Sequence, residues 1–144
     1  MLDQMKALAR EKTICVLATI AGDKPYCSLM AYATNPECTE IYMATHRATK
    51  KFRNLAANAA VSLLIDTRES APRSQAQALT VEGVCTPVED PSETAAVRSL
   101  LLAVHPHLGQ FLAHPECALL RVEIQSFLLL RGLTEAHHAR IVSD

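Results

Sequence analysis

The sequence predicts a mainly β, α+β domain: a six-stranded antiparallel β-barrel with flanking helices. Three observations carry this. Short apolar runs, the first of them rich in β-branched residues, recur along the chain and are bounded by turn residues. The first three runs, 14–20, 26–34 and 40–45, have hairpin-length connections, so antiparallel pairing is expected. Six strands with few helices can close on themselves, which removes exposed edges. No repeat, linker or low-complexity segment interrupts the 144 residues, so the chain reads as one domain, 1–144, long enough to bury a core.

Each element follows from its own pattern. Leu2, Met5, Leu8 and Ala9 fall on one face of a short N-terminal helix. The strand 14–20 is closed by the turn Ala21-Gly22-Asp23-Lys24-Pro25. The second strand, 26–34, runs to a turn at Asn35-Pro36-Glu37, and the third spans 40–45. A helix over about 49–58 follows, with Thr49 as N-cap and Phe52, Leu55, Ala56 and Ala59 at helical spacing. The fourth strand is 60–66, and 68–74 is a polar loop. The fifth strand, 78–88, contains Gly83, and a glycine inside a strand marks a bulge or a close approach. Pro91-Ser92-Glu93-Thr94 opens a helix with an acid in its first turn, as the helix dipole prefers, and Pro106 limits it. A shorter helical piece at 108–113 precedes the sixth strand, 118–130, which is expected to kink. The chain then turns at Arg131-Gly132-Leu133 into a polar tail.

The stretch between the third strand and the following helix is unusual. Arg47, Lys50, Lys51 and Arg53 lie within a few residues of one another, and no Asp or Glu occurs between Glu40 and Asp66. Cations at a helix N-terminus oppose the macrodipole, whose positive end is already there. Such a broken local rule marks a candidate functional site. Free backbone N–H groups, a hydroxyl and two lysines at one helix end suit a phosphate.

Composition narrows the classes. Lys and Arg total 14 against 15 Asp and Glu, so the basic cluster is local and the chain has no general affinity for nucleic acid. Trp is absent and aromatics are scarce, which argues against base-stacking platforms. No apolar run is long enough to span a bilayer, and the charged N-terminal segment is not a secretory leader, so a cytoplasmic protein is expected. Five cysteines without a Cys-x-x-Cys pair indicate neither a disulfide framework nor a zinc ribbon. Cys15, Cys27, Cys85 and Cys117 sit in or beside strand runs and are expected to be buried, reduced and inert. The six histidines lack zinc-ligand spacing. The four glycines are too dispersed for a dinucleotide fingerprint or a P-loop. Arg68 and Arg73 read as solvent-facing loop cations.

Taken together, several segments resemble the FMN-binding split-barrel family related to pyridoxamine 5′-phosphate oxidase. Val16-Leu17-Ala18-Thr19-Ile20 with Gly22, Pro25 and Ser28 is similar to that family's first hairpin. Ile41-Tyr42-Met43-Ala44-Thr45, followed by Thr49-Lys50-Lys51 and Asn54-Leu55, resembles its phosphate-binding strand and helix. Leu79-Thr80-Val81-Glu82-Gly83-Val84 and Arg131-Gly132-Leu133 match later segments in the right order. The resemblance implies a homodimer of split barrels with FMN at the subunit interface. It implies that Thr49 and Lys51 bind the phosphate with Lys50 beside them. Ala44 and Thr45 would add strand contacts, and Ser28, Leu29 and Met30 would line the isoalloxazine through backbone and side chain.

The departures are as informative. Pyridoxamine 5′-phosphate oxidase proper uses Arg and His substrate residues and a Trp-containing C-terminal region, and this chain ends in Thr134-Glu135-Ala136-His137-His138-Ala139-Arg140. Oxidation of vitamin B6 is therefore disfavoured. Two functions follow: an FMN-dependent oxidoreductase acting on a small molecule, or a flavin- or haem-binding protein without turnover. In the haem case His137 or His138 would be the axial ligand. His46 is the only acid–base side chain near the basic helix end.

Overall fold

The computed structural model describes residues 1–141; 142–144, the end of the polar tail, lie outside the described residues. Helix α1 (Leu2–Glu11) buries Met5, Leu8 and Ala9. Strand β1 (Ile14–Ala21) alternates with period two and puts Cys15, Leu17 and Thr19 inward. Gly22, at φ +67°, permits the tight two-residue turn into β2 (Lys24–Ala31).

The expected second strand, 26–34, is two strands. Tyr32 interrupts it: its ring is buried and its hydroxyl donates to Ala9 O at 2.7 Å. The chain leaves β1 at that point and re-pairs as β3 (Ala33–Thr34) with β4 (Glu40–His46). Helix α2 (Lys50–Ala57), β5 (Ala60–Asp66) and β6 (Gln77–Pro87) follow near their expected positions. Then come α3 (Pro91–Val104), the short α4 (Gly109–Ala113) and β7 (Cys117–Arg131). The tail is the second departure. Glu135–Arg140 forms β8, hydrogen-bonded to the last part of β7 through a turn at Gly132. Its sequence has no β-branched residue, so only the long neighbouring strand makes it one. The six expected strands thus become eight among the described residues.

One antiparallel sheet runs β2-β1-β5-β6-β7-β4-β3, with β8 added on β7. It curls into a half-barrel, the architecture of a split barrel, around Leu17, Met43, Leu63, Val81, Phe127 and their neighbours. A second core lies on the other side of β4 and β7. There Tyr42 and Leu119 meet Val97, Leu101 and Leu112 of α3 and α4. Alternation along β4 serves both: Ile41, Met43 and Thr45 enter the barrel, while Tyr42, Ala44 and His46 face the helices.

The expected irregularity in the last strand has a clear cause. Glu82 pairs with Ser126 but Gly83 pairs with Ile124, so Gln125 is an extra residue in β7. A Cβ at Gly83 would lie 2.4 Å from Glu123 O, so the backbones cross where only glycine fits.

The cysteines divide. Cys15 and Cys85 are buried, and burial pushes each thiol up to about 12. Cys117 is half-buried. Cys27, expected to be buried, is exposed, because it lies on the outward side of edge strand β2.

Candidate functional site

The basic stretch folds as its pattern predicts. Thr49 caps α2, and its hydroxyl accepts from Phe52 N at 3.3 Å. The same hydroxyl donates to His46 O at 2.8 Å and lies 3.1 Å from Thr45 Oγ1. With its single proton on His46 O, Thr49 accepts from both Thr45 and Phe52, so its hydrogen-bonding capacity is fully used. The backbone N–H groups of Lys50 and Lys51, in the first turn of α2, make no backbone hydrogen bond.

The four cations are held without acids. Arg47 donates to Cys117 O at 3.0 Å and lies 5.9 Å from the Phe52 ring centre. Arg53 donates to Ala48 O at 3.1 Å. Lys50 Nζ sits 4.9 Å from the ring centre of Tyr26, on β2. Among the described residues none of these cations pairs with a carboxylate, and Lys51 has no polar partner. Positive charge, free N–H groups and a satisfied cap therefore coincide at one helix end. That donor set fits a phosphate dianion.

This end faces the split in the barrel. Strand β2 is hydrogen-bonded only to β1, and β4 has β3 beside it only at Ile41 and Tyr42. Between them lie two edges whose outer backbone groups have no ladder partner. Ser28 pairs with the buried Leu17 and so shares its inward side, with Tyr26 and Met30 at alternate positions. From α2, Asn54 Nδ2 donates to Thr19 Oγ1 at 3.1 Å, which pins the helix to β1 beneath the split.

Of the residues the sequence singled out, Thr45, Thr49, Lys50, Lys51, Ser28 and Met30 border this region. Met30 is largely buried in the core. The side chains of two others turn away, which leaves only their backbone on this side. The Ala44 side chain faces α3 and α4. Leu29 points outward and is 74% exposed. A strand cannot send three consecutive side chains to one face.

His46 is also turned away. Its ring stacks between Phe111 at 4.3 Å and His114 at 4.7 Å on the helical side of β4, and its Nε2 is buried without a partner. Arg68 is committed to Asp66, with Nη2 to Oδ2 at 2.6 Å. Tyr26, Thr19 and Asn54 join the candidate site without a role assigned to them from the sequence. The Thr19–Asn54 contact joins positions 35 apart and leaves no local signal.

Two clefts of about 350 Å³ each lie elsewhere, on the outward face of the sheet. One has an apolar floor of Ile14, Val16, Leu29 and Leu64. Register explains that face: Leu29, Val16, Leu64, Thr80, Leu128 and His138 form a continuous row across six strands. Leu29 and the 44%-exposed Leu130 leave it apolar and uncovered. Among the described residues no group of three or more His, Cys, Asp or Glu side chains is placed to hold a metal ion. No helix among the described residues is long and apolar enough to cross a membrane.

The family described as pyridoxamine 5′-phosphate oxidase matches residues 1–131. No curated protein sequence matches the chain. Among solved structures, a haem-binding protein from Mycobacterium smegmatis superposes with a TM-score of 0.84 at 19% identity, covering 95% of this chain. The chain spans only 56% of that protein. A FAD-binding protein from Mesorhizobium loti gives 0.74 at 16% identity, covering 90% and 93% of the two chains. General Stress Protein 26 from Bacillus anthracis gives 0.73 at 18%, covering 97% and 98%. At these identities the likeness is one of fold.

Proposed function

The chain belongs to the pyridoxamine 5′-phosphate oxidase family, and from that premise we propose that it binds FMN in the split of its barrel and acts as an oxidoreductase on a small molecule. The observation that carries this is the acid-free basic end of α2 beside two unpaired strand edges. Lys51 and the first N–H groups of α2 would hold the phosphate. Thr49 would fix the helix end, and the free edge of β2 would offer backbone groups to the ring heteroatoms. A bound flavin supplies hydride or electron transfer.

The reading includes a homodimer. The split is open on one side, and the apolar outward row gives a second copy a surface to cover. It also places the protein in the cytoplasm, since five unpaired cysteines suit a reducing compartment.

Haem is the second reading. It is favoured by the haem-binding structural neighbour and by His138, which β8 presents on the outward row opposite Leu128. Absorbance spectra after incubation with FMN, FAD, riboflavin or haemin, followed by gel filtration, separate the two. Flavin bands retained best with FMN support the first reading, and a Soret band supports the second. A colourless protein in every case overturns both. Bleaching of bound flavin by NADH or NADPH supports turnover.

A further inference from the structure

The two adjacent lysines at the start of α2 differ in surroundings. Lys51 has no polar partner, whereas Lys50 reaches across the split and rests its ammonium on the Tyr26 ring, 4.9 Å from the centroid. Tyr26 belongs to the edge strand and Lys50 to the helix, and no ladder hydrogen bond joins these two walls. The ring is therefore a seat that draws one charge away from the helix end and hangs it over β2. Tyr26, Ser28 and Met30 are the residues that β2 turns inward there.

We propose that Tyr26 is a positioning residue that assigns the two lysines different tasks. Lys51 serves the phosphate, and Lys50, held on Tyr26, lies along the body of the bound flavin and favours its reduced form. This rests on the flavin reading above. The chemistry is simple: two-electron, one-proton reduction adds one negative charge to the isoalloxazine. A cation kept beside that body attracts the reduced form more than the oxidised one, while the phosphate carries the same charge in both. A cation–π contact at an exposed site is weak, so it biases where a flexible lysine rests without locking it.

The test is the midpoint potential of bound FMN, read by dithionite titration against a reference dye, together with FMN and riboflavin affinities. Lys50→Gln is expected to weaken binding of reduced relative to oxidised FMN about tenfold, a midpoint about 30 mV lower for a two-electron couple. It should lower affinity for FMN and riboflavin alike. Tyr26→Leu should shift the potential in the same direction and add nothing in a Lys50→Gln background. Tyr26→Phe, which keeps the ring, should retain the wild-type value. Lys51→Gln should cost FMN affinity selectively and leave the potential nearly unchanged. An unshifted potential in Lys50→Gln, or a Tyr26→Leu effect that persists without Lys50, overturns the assignment while leaving flavin binding intact. Failure of the wild-type protein to bind any flavin overturns both.

Discussion

Thr45 Oγ1 on β4 and Thr49 Oγ1 at the start of α2 lie 3.1 Å apart, and the second hydroxyl also meets His46 O and Phe52 N. The strand end and the helix cap are thus one hydrogen-bonded unit. In the proposed flavin site Thr49 would act on the phosphate through the helix it fixes. Thr49→Ala is expected to destabilise the protein by about 1 kcal/mol in urea unfolding, and Thr49→Ser to restore most of it. A loss of FMN binding in Thr49→Ala without any loss of stability would assign the hydroxyl a direct contact instead.

Lys51→Ala should weaken FMN ten- to a hundredfold, the loss of one charge-assisted hydrogen bond of about 1.5–3 kcal/mol, and leave riboflavin binding nearly unchanged. The apo-protein should be equally stable or slightly more so, because the removed cation opposes the dipole of α2. Parallel titrations of the two flavins measure this, and equal losses would take Lys51 out of the phosphate site.

Gly83→Ala should destabilise the fold by about 3 kcal/mol, at the upper end of overpacking costs. The added carbon would meet a backbone carbonyl, Glu123 O, at 2.4 Å, and that strand is fixed by ladders on both sides. A midpoint in urea unchanged from wild type would show that the β7 bulge can absorb it.

Thiol labelling should be ordered by exposure. Cys27 is expected to react with a disulfide reagent within minutes, and Cys15 and Cys85 only on unfolding. The same burial makes stability fall at high pH. Both thiols are raised from 9.0 to about 12, so the unfolded chain ionises first. Their contribution is complete below about pH 8 and is lost as pH climbs from 9 towards 12. Cys15→Ala and Cys85→Ala should each flatten that alkaline decline in urea midpoint. An equally steep decline in both variants would place its origin elsewhere.

Leu29→Glu puts a charge at the most exposed apolar position of the outward row. Sedimentation velocity is expected to show a dimer for wild type and a monomer for this variant, with unchanged circular dichroism. A wild-type monomer carrying bound flavin would contradict the dimer.

The sequence by itself determined the elements whose cause is local. Period-two runs placed most strands, Thr49 and Pro91 placed helix starts, and the unbalanced cations marked the end of α2. Gly83 signalled its bulge because only a missing side chain lets two backbones approach. The tertiary structure alone decided the rest. Glu135–Arg140 became a strand because β7 is long enough to pair with it. Tyr32 divided a strand because its hydroxyl finds Ala9 on a helix 23 residues away. The side chains of His46 and Ala44, adjacent in sequence to Thr45, turned away from it because alternation on β4 sends them to the other core. Lys50 parted from Lys51 because the Tyr26 ring lies across a split that no local pattern encodes. Partners distant in the chain are chosen by sheet order and register, and these arise from the packing of the whole chain.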